Sequence, residues 1–407
     1  MQQIPTLKRS LSLPLVTFYG IGTILGAGIY VLVGKVAGAA GMHTPVAFLL
    51  ASLLILPSAF SYAELVARFP RSAGEAIYVQ EGLGWPPLSI LVGLMIVSLG
   101  VLSTATLVHG LVGYLAVFFA LPDTAVILAA VLVMGAVVAW GISESVMLAT
   151  LMTIVEIGGL LLIIWVARDG FAVFPEHAAA MVPGIDGTVW AGVMLGAFIA
   201  FYAYIGFEDM VNVAEEVREP SRNLPLAILT AWLVTTLLYL VVSTVCVLVL
   251  SPPELAATDA PLALVYQHMT GRAPVVITAI SLVSIINGAL IQIIMASRVL
   301  YGMSRQGWLP ELLGRVNAKT HTPLVATALV CAVILLFALW LPLVELAKLT
   351  SLITLSVFAL VNLALLRVKR RHGTAPGVWR VPYWVPVVGV CCSAGFGAYQ
   401  TVRMVTG

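Results

Sequence analysis

Residues 19–35 read YGIGTILGAGIYVLVGK, an apolar run with glycine at positions 20, 22, 26, 28 and 34. Glycine inside a helix costs about 1 kcal/mol relative to alanine, because it gives up the most backbone freedom on folding. A run this apolar reads as a membrane helix, yet it incurs that cost repeatedly near its own middle. The pattern predicts a helix interrupted around Gly22–Gly28.

Composition supports a membrane setting. Of 407 residues, 61% are hydrophobic and 9% charged, against about 25% charged in an ordinary soluble domain. About 20 apolar residues cross a hydrocarbon core of about 30 Å. Eleven runs read as such spans: 13–33, 43–63, 87–119, 124–141, 145–167, 189–214, 226–250, 274–301, 323–341, 343–366 and 382–404. None shows the alternation of a β-barrel strand, so the expected fold is all-α and polytopic, one membrane domain over 1–407. Lys8 and Arg9 precede the first run as in a signal peptide, but the run is too long for one and ten more follow. Cys246, Cys331, Cys391 and Cys392 fall within apolar spans without metal-ligand spacing and read as small hydrophobes.

Lysine and arginine predict the orientation. With the N-terminus inside, fifteen of the twenty fall on the inner side, from Lys8 to Arg380. Lys35, Arg168, Arg272 and Arg403 fall outside, and Lys348 lies within a span. That asymmetry predicts a cytoplasmic N-terminus and, with an odd number of spans, a C-terminus outside the cell membrane. The net charge of +2 gives no sign of nucleic-acid binding. The basic stretch RVKRRHG (367–373) reads as an anchor on the inner lipid face.

Gly20-x-Gly22-x-x-x-Gly26 is one residue off a dinucleotide fingerprint, and Gly28 to Lys35 is near a P-loop. Both motifs need a strand before the turn and a helix after it, and the context here is a membrane span. Close helix packing through Gly22 and Gly26 stands as the structural alternative to a break. An interrupted helix frees N–H groups at the positive end of its second half, an anion site, and frees carbonyls for an ammonium or cation. One break thus serves both ends of a zwitterion. A second break is read in FIAFYAYIGFEDMVNVAEEVREPSRNLP (198–225), where Gly206 sits among aromatics and is followed by Glu208 and Asp209. Five spans separate the two breaks. That odd number places them in oppositely oriented halves, the mark of an inverted-repeat secondary transporter.

The stretches GIGTILGAGIY (20–30), ELVARFPRSAGEAIYV (64–79), AYIGFEDMVNVAEEVREPSRNLPLAI (203–228) and ASRVLYGMSRQGWLP (296–310) resemble the amino acid–polyamine–organocation superfamily. The likeness is to its bacterial amino-acid permease and cationic-amino-acid-transporter-like branches. It implies a leucine-transporter-type five-plus-five fold with discontinuous helices 1 and 6. The repeats would be 13–167 and 189–366, with an extra span at 382–404, where many relatives have twelve spans. It implies a substrate among spans 1, 3, 6, 8 and 10. The substrate carboxylate would meet the N–H groups of Gly26, Ala27 and Gly28. Its ammonium would meet carbonyls near Ile21 in span 1 and near Tyr202, Ala203 and Ile205 in span 6, and Thr23 would also stand at the substrate. Tyr202 takes the place of an aromatic lid that is often Phe or Trp in relatives.

Glu156 sits in the middle of LATLMTIVEIGGLLLIIW (148–165), where a carboxyl is costly to insert. It reads as a coupling residue that carries a proton or ligates sodium; a neutral, hydrogen-bonded structural role is the alternative. Glu208 lies at the inner interface if its span is unbroken and beside the substrate if it is broken. The resemblance favours the second, with a role in substrate or proton handling. His109, Asn287, Gln292, Ser351 and Thr354 are pathway-facing or merely hydrogen-bonded within the bundle. Arg68, Arg71, Glu215, Glu216, Arg218 and Arg222 read either as an inner gate or as solvated charges. DAPLALVYQHM (259–269) reads as an outer amphipathic helix.

The sequence thus points to a secondary transporter of a small, neutral L-amino acid, by proton symport, with a basic amino acid or polyamine as the alternative cargo. A channel would need a continuous polar lining. An enzyme would need a nucleophile or a metal cluster such as HExxH, and neither pattern is present. No cofactor is implied, and the residues say nothing of oligomeric state.

Overall fold

A computed structural model describes residues 11–26, 28–71, 74–140, 146–317, 320, 322–372 and 379–406. Ala27, Lys8, Arg9 and Lys319 of the readings above lie outside the described residues. Among those described, every regular element is helical, and one isolated parallel bridge joins Leu11 to Val217. The first half holds α1 (Leu13–Leu25), α2 (Gly28–Ala40), α3 (Thr44–Arg68), α4 (Gly74–Leu83), α5 (Pro86–Leu115), α6 (Asp123–Trp140), α7 (Val146–Val166) and α8 (Phe174–Met181). The second half opens with α9 (Gly187–Tyr202), continued after a turn by a 3-10 segment at Phe207–Glu216. It goes on through α10 (Pro220–Val249), α11 (Pro252–Ala257), α12 (Pro261–Thr270) and α13 (Val275–Arg305). It closes with α14 (Leu324–Trp340), α15 (Leu343–His372) and α16 (Trp384–Thr406).

Proline marks the first turns of α3, α5, α10 and α12. There its fixed φ is an advantage, and the missing N–H has no helical partner to lose. Seven helical stretches among the described residues are long and apolar enough to cross a bilayer: 13–68, 86–115, 187–214, 220–249, 275–305, 343–371 and 384–403. A pair bent by 56°, Thr150–Val166 with Arg168–Met181, makes an eighth, and Asp123–Ala139 and Leu324–Trp340 are shorter apolar helices. Leu132, Val133, Leu151, Ile154 and Leu161 are exposed on α6 and α7, as lipid-facing side chains are. Trp165, Trp340 and Trp384 are exposed at helix ends, the depth at which an amphipathic ring suits both lipid and water. The chain is a polytopic all-α membrane protein.

Inside the bundle α5 packs on α13, α3 on α10, α2 on α9, and α1 on α10 and α7. Lipid gives helices little hydrophobic reason to associate, so small residues and interhelical hydrogen bonds matter more. Ser52 on α3 pairs with Thr236 on α10 at 2.8 Å. Asn362 on α15 accepts from Ser61 at 2.6 Å and donates to Ser58 at 2.9 Å, joining it to α3. Tyr114 on α5 donates to the Tyr30 carbonyl on α2 at 2.7 Å.

One end of the bundle is tied by a buried ionic network. Glu64, with no exposed surface, receives Arg68 at 2.7 Å and Lys369 at 2.6 Å. It also accepts the Val381 N–H at 2.8 Å, while Lys369 donates to the Val381 carbonyl at 2.6 Å. Of the inner-side cations read from the sequence, Arg68 and Lys369 join this network, and its centre is Glu64. Two cations share one buried carboxylate, so removing it strands both. Glu64→Ala should therefore destabilise the detergent-solubilised protein by about 3–5 kcal/mol, read as a lowered thermal midpoint, and Lys369→Ala by less.

Candidate functional site

The first interruption falls at Gly26. It closes α1 with its N–H donated to the Gly22 carbonyl at 3.0 Å, and its φ of +25° lies in the region that favours glycine. The chain resumes as α2 at Gly28, whose first N–H groups have no partner within their own helix. Close approach explains the other glycines. A Cβ at Gly28 would stand 2.6 Å from the Ala203 Cα, and one at Gly22 would overlap Thr153 of α7. The same glycines thus serve both the break and close helix contact.

The second interruption follows α9. Residues 203–206 form a tight turn, and Gly206 has a φ of +132°. A Cβ at Gly206 would overlap the Thr23 carbonyl. The two breaks therefore lie directly against one another. The Tyr239 hydroxyl, from α10, stands 2.9 Å from the Ile24 carbonyl and 2.8 Å from the Ala203 carbonyl, serving one with its proton at a time.

Between the breaks is a cavity lined by Thr23, Ile24, Gly26, Gly28, Ser103, Leu107, Tyr202, Ile205, Asp209, Gly288, Ile291 and Gln292. Its open space is about 30 Å³, room for about two waters. Of the residues expected at the substrate, Thr23, Gly26, Gly28, Tyr202 and Ile205 line it. Ile21 is buried within α1 and Ala203 is buried under Tyr239; neither lines it. Ala27 lies outside the described residues. The Gly26 N–H is committed to Gly22, so it is the start of α2 that is left facing the break. Tyr202 bridges the cavity: its hydroxyl lies 3.0 Å from the Ser103 Oγ and donates to the Ser103 carbonyl at 3.1 Å, joining α9 to α5.

The buried carboxyls divide. Glu208 does not line the cavity; its Oε2 accepts the Gly206 N–H at 2.9 Å, a donor that the break had stranded. Asp209, its neighbour, lines the cavity instead, and accepts from Gln292 Nε2 at 3.1 Å. Glu156 is fully buried on α7, with Asn287 Nδ2 3.3 Å from its Oε1 and the Ser284 hydroxyl beside it. Ser284 donates to the Gly26 carbonyl, so α13 meets both the first break, through Ser284, and Glu156, through Asn287. Among the described residues no three acidic, histidine or cysteine side chains gather as a metal cluster.

The weaker sequence candidates sort themselves. Asn287 serves Glu156 and Gln292 serves the cavity. Thr354 bonds back to Thr350 at 2.8 Å, Ser351 reaches the Phe198 carbonyl at 3.2 Å, and His109 lies 3.1 Å from the Leu341 carbonyl. Ser103, Leu107, Gly288 and Ile291 went unmarked in the sequence, because nothing in an apolar helix distinguishes a cavity-lining face from a packed one.

The profile of the amino acid permease family matches residues 11–402. Among curated relatives, the branched-chain amino acid permease BcaP of Bacillus subtilis (strain 168) is 29% identical over 410 residues, 94% of this chain and 85% of the relative. The methylthioribose transporter of the same organism is 30% identical over 416 residues, 96% of this chain and 87% of its own length. The mitochondrial cationic amino acid transporter 3 of Arabidopsis thaliana is 30% identical over 395 residues, 89% of this chain but 63% of its own. With the profile running over nearly its whole length and both helix interruptions in place, the chain belongs to the amino acid permease family of the amino acid–polyamine–organocation superfamily.

Proposed function

We propose that this amino-acid transporter is a secondary active carrier of L-amino acids, coupled to protons through Glu156, with the substrate held between the two helix breaks. The observation that carries the reading is the fully buried Glu156, whose partner Asn287 lies one helical turn along α13 from Ser284, the residue that caps the Gly26 carbonyl. A carboxyl that exchanges a proton changes its hydrogen bonding and its solvation cost. Any conformation that alters that environment is then linked to proton binding. In this reading Glu208 supports the second break rather than the coupling, while sodium at Glu156 is the lesser alternative.

The substrate carboxylate is assigned to the N-terminal end of α2, around Gly28 and its neighbours Gly26 and Ala27, where partial positive charge gathers. The ammonium is assigned to carbonyls of the first break around Ile21 and Thr23 and of the second around Tyr202, Ala203 and Ile205. Because the cavity admits only water-sized groups as it stands, Tyr202 and its bond to Ser103 would have to yield for a substrate to enter. That suits a lid.

The proposed architecture is eleven spans in two inverted repeats, 13–167 and 189–366, followed by a last span at 382–404, all one domain. The stretch 13–68 has 56 residues, about 84 Å of helix at 1.5 Å per residue and so two crossings. With the bent pair and the two shorter helices, the count reaches eleven. The orientation, in the cell membrane with the N-terminus inside and the C-terminus outside, rests on the Lys/Arg asymmetry, and the grouping of loops onto two faces gains support from contacts between distant segments. Glu64 meets Lys369, and Thr322 meets the Ala139 carbonyl, all read as inner. Lys35 meets Asp259 at 2.7 Å and His43 lies near the Met181 carbonyl, all read as outer.

Uptake of labelled amino acids into proteoliposomes, with and without an inward proton gradient, tests the function; equal uptake in both would remove the coupling. Glu156→Gln should keep substrate exchange across the membrane but lose gradient-driven accumulation. Gly28→Leu should abolish binding, since the side chain covers the start of α2, and should also lower the thermal midpoint, since it meets the Ala203 backbone. Tyr202→Ala should slow transport more than it weakens equilibrium binding, because occlusion is lost before the backbone contacts are.

A further inference from the structure

Beside the second break lies a group of buried polar atoms that neither the cavity nor the break itself uses. Glu75 is in the first turn of α4, Tyr78 stands one turn on, Tyr62 comes from α3 and Glu208 from the 3-10 segment. Among the described residues, the Glu75 Oε1, the Glu208 Oε1 and both tyrosine hydroxyls are buried without a hydrogen-bond partner. The tyrosines have no exposed surface, and each acid is 3% exposed. Tyr62 joins them: its hydroxyl lies beside the Glu75 carboxyl and within electrostatic reach of Glu208. Its ring packs edge-on against Tyr78 at 6.3 Å and against Phe207 and Phe358 at 5.4 Å each, so the surroundings are apolar. Gly74 seats α4 here, since a Cβ on it would overlap Val211 of the 3-10 segment and crowd the Tyr78 hydroxyl.

We infer that Glu75 holds an exchangeable proton, with Tyr62 and Glu208 as its neighbours, and that this proton fastens α4 to the second break. Carboxylates in a dry site oppose each other's charge, and each is costly to bury without a cation. A proton removes one charge, needs no space, and gives Glu75 a donor to set against acceptors that have none. Burial pushes the Glu75 carboxyl up to about 8, and the Asp209 charge adds to the rise. The groups facing it are Asp209 and Glu208 from the 3-10 segment, Tyr62 from α3 and Tyr78 from α4 itself. α5 and α15 also pack on α4, bringing Ser89 to Gln80 and Arg371 near Gly84, farther along the helix. A seated α4 therefore keeps the proton at neutral pH, and an α4 released into water gives it up. Seating is strongest below the ordinary glutamate value of about 4.3, weakens by about tenfold per pH unit from there, and levels off above about 8. On the face read as inner, each release of α4 delivers one proton to the water there.

Hydrogen exchange of the α4 amides in the purified full-length protein, corrected for the intrinsic pH dependence of exchange, makes the test. Exchange should quicken by about tenfold per pH unit between about pH 5.5 and 7.5 and level off above about 8. Glu75→Gln, which has no proton to lose, should be flat over that range. Tyr62→Phe should shift the pH at which the rise levels off, and Glu156→Gln should leave the profile as it is. A flat wild-type profile would overturn the inference. So would the wild-type slope persisting in Glu75→Gln, or vanishing in Glu156→Gln, which would assign the titration to α7. If Glu75→Gln does not remain monodisperse, Tyr62→Phe decides, and an unchanged profile there counts against the proton. Protection restored by sodium at about pH 8 would give the cluster to a metal cation and overturn the inference as well.

Discussion

Backbone that leaves its helix inside a membrane has no water to turn to, and each unmet group there costs several kcal/mol. The rest of this structure depends on how that demand is met twice in one place. The breaks at Gly26 and Gly206 are laid against each other, so that Gly28 rests on Ala203 and Gly206 on the Thr23 carbonyl. Tyr239 reaches carbonyls from both. Glu208 takes the stranded Gly206 N–H, and Ser284 caps the Gly26 carbonyl. Neither break is satisfied alone. Each is stable because the other half of the molecule supplies its missing partners.

That mutual dependence explains why the cavity lies where it does. Two glycine-lined backbones meet without filling the space between them, and α5 and α13 close the sides with Ser103, Leu107, Gly288, Ile291 and Gln292. It also explains the division of labour among buried acids. Glu208 is held by the break itself, Asp209 borders the cavity, and Glu156 is buried on α7 against Asn287. These three carboxyls thus have three environments, and environment is what sets a carboxyl's charge and hydrogen bonding.

The ends of the bundle are secured differently. One end has Glu64 fully buried between Arg68 and Lys369, where loss of a partner leaves an uncompensated charge. The other has Lys35 and Asp259, a pair partly open to solvent and correspondingly weak. Lys35 also donates to the Ala256 carbonyl at 3.2 Å, so this looser tie holds the short helices α11 and α12 over the end of α2. α12 covers most of the segment that reads in the sequence as an outer amphipathic helix.

Much of this was legible in the linear chain. Hydropathy and length gave the spans, because a lipid core demands a fixed length of apolar helix. Repeated glycine pointed to the first break, because only a special backbone or a close contact justifies its cost inside a helix, and Gly206 followed by two acids pointed to the second. The five spans between them suggested their pairing, and the resemblance added the expectation of a substrate there. Tertiary structure alone decided which polar side chains meet. Glu208 and Asp209 are adjacent in sequence and equally acidic, yet the 3-10 turn sends one to the backbone and the other to the cavity. Gln292 and Asn287 lie five residues apart on α13, and their partners, Asp209 and Glu156, come from two other elements. A helix repeats its geometry and so reveals itself in sequence. A contact between helices depends on their rotation and depth, which no single segment carries.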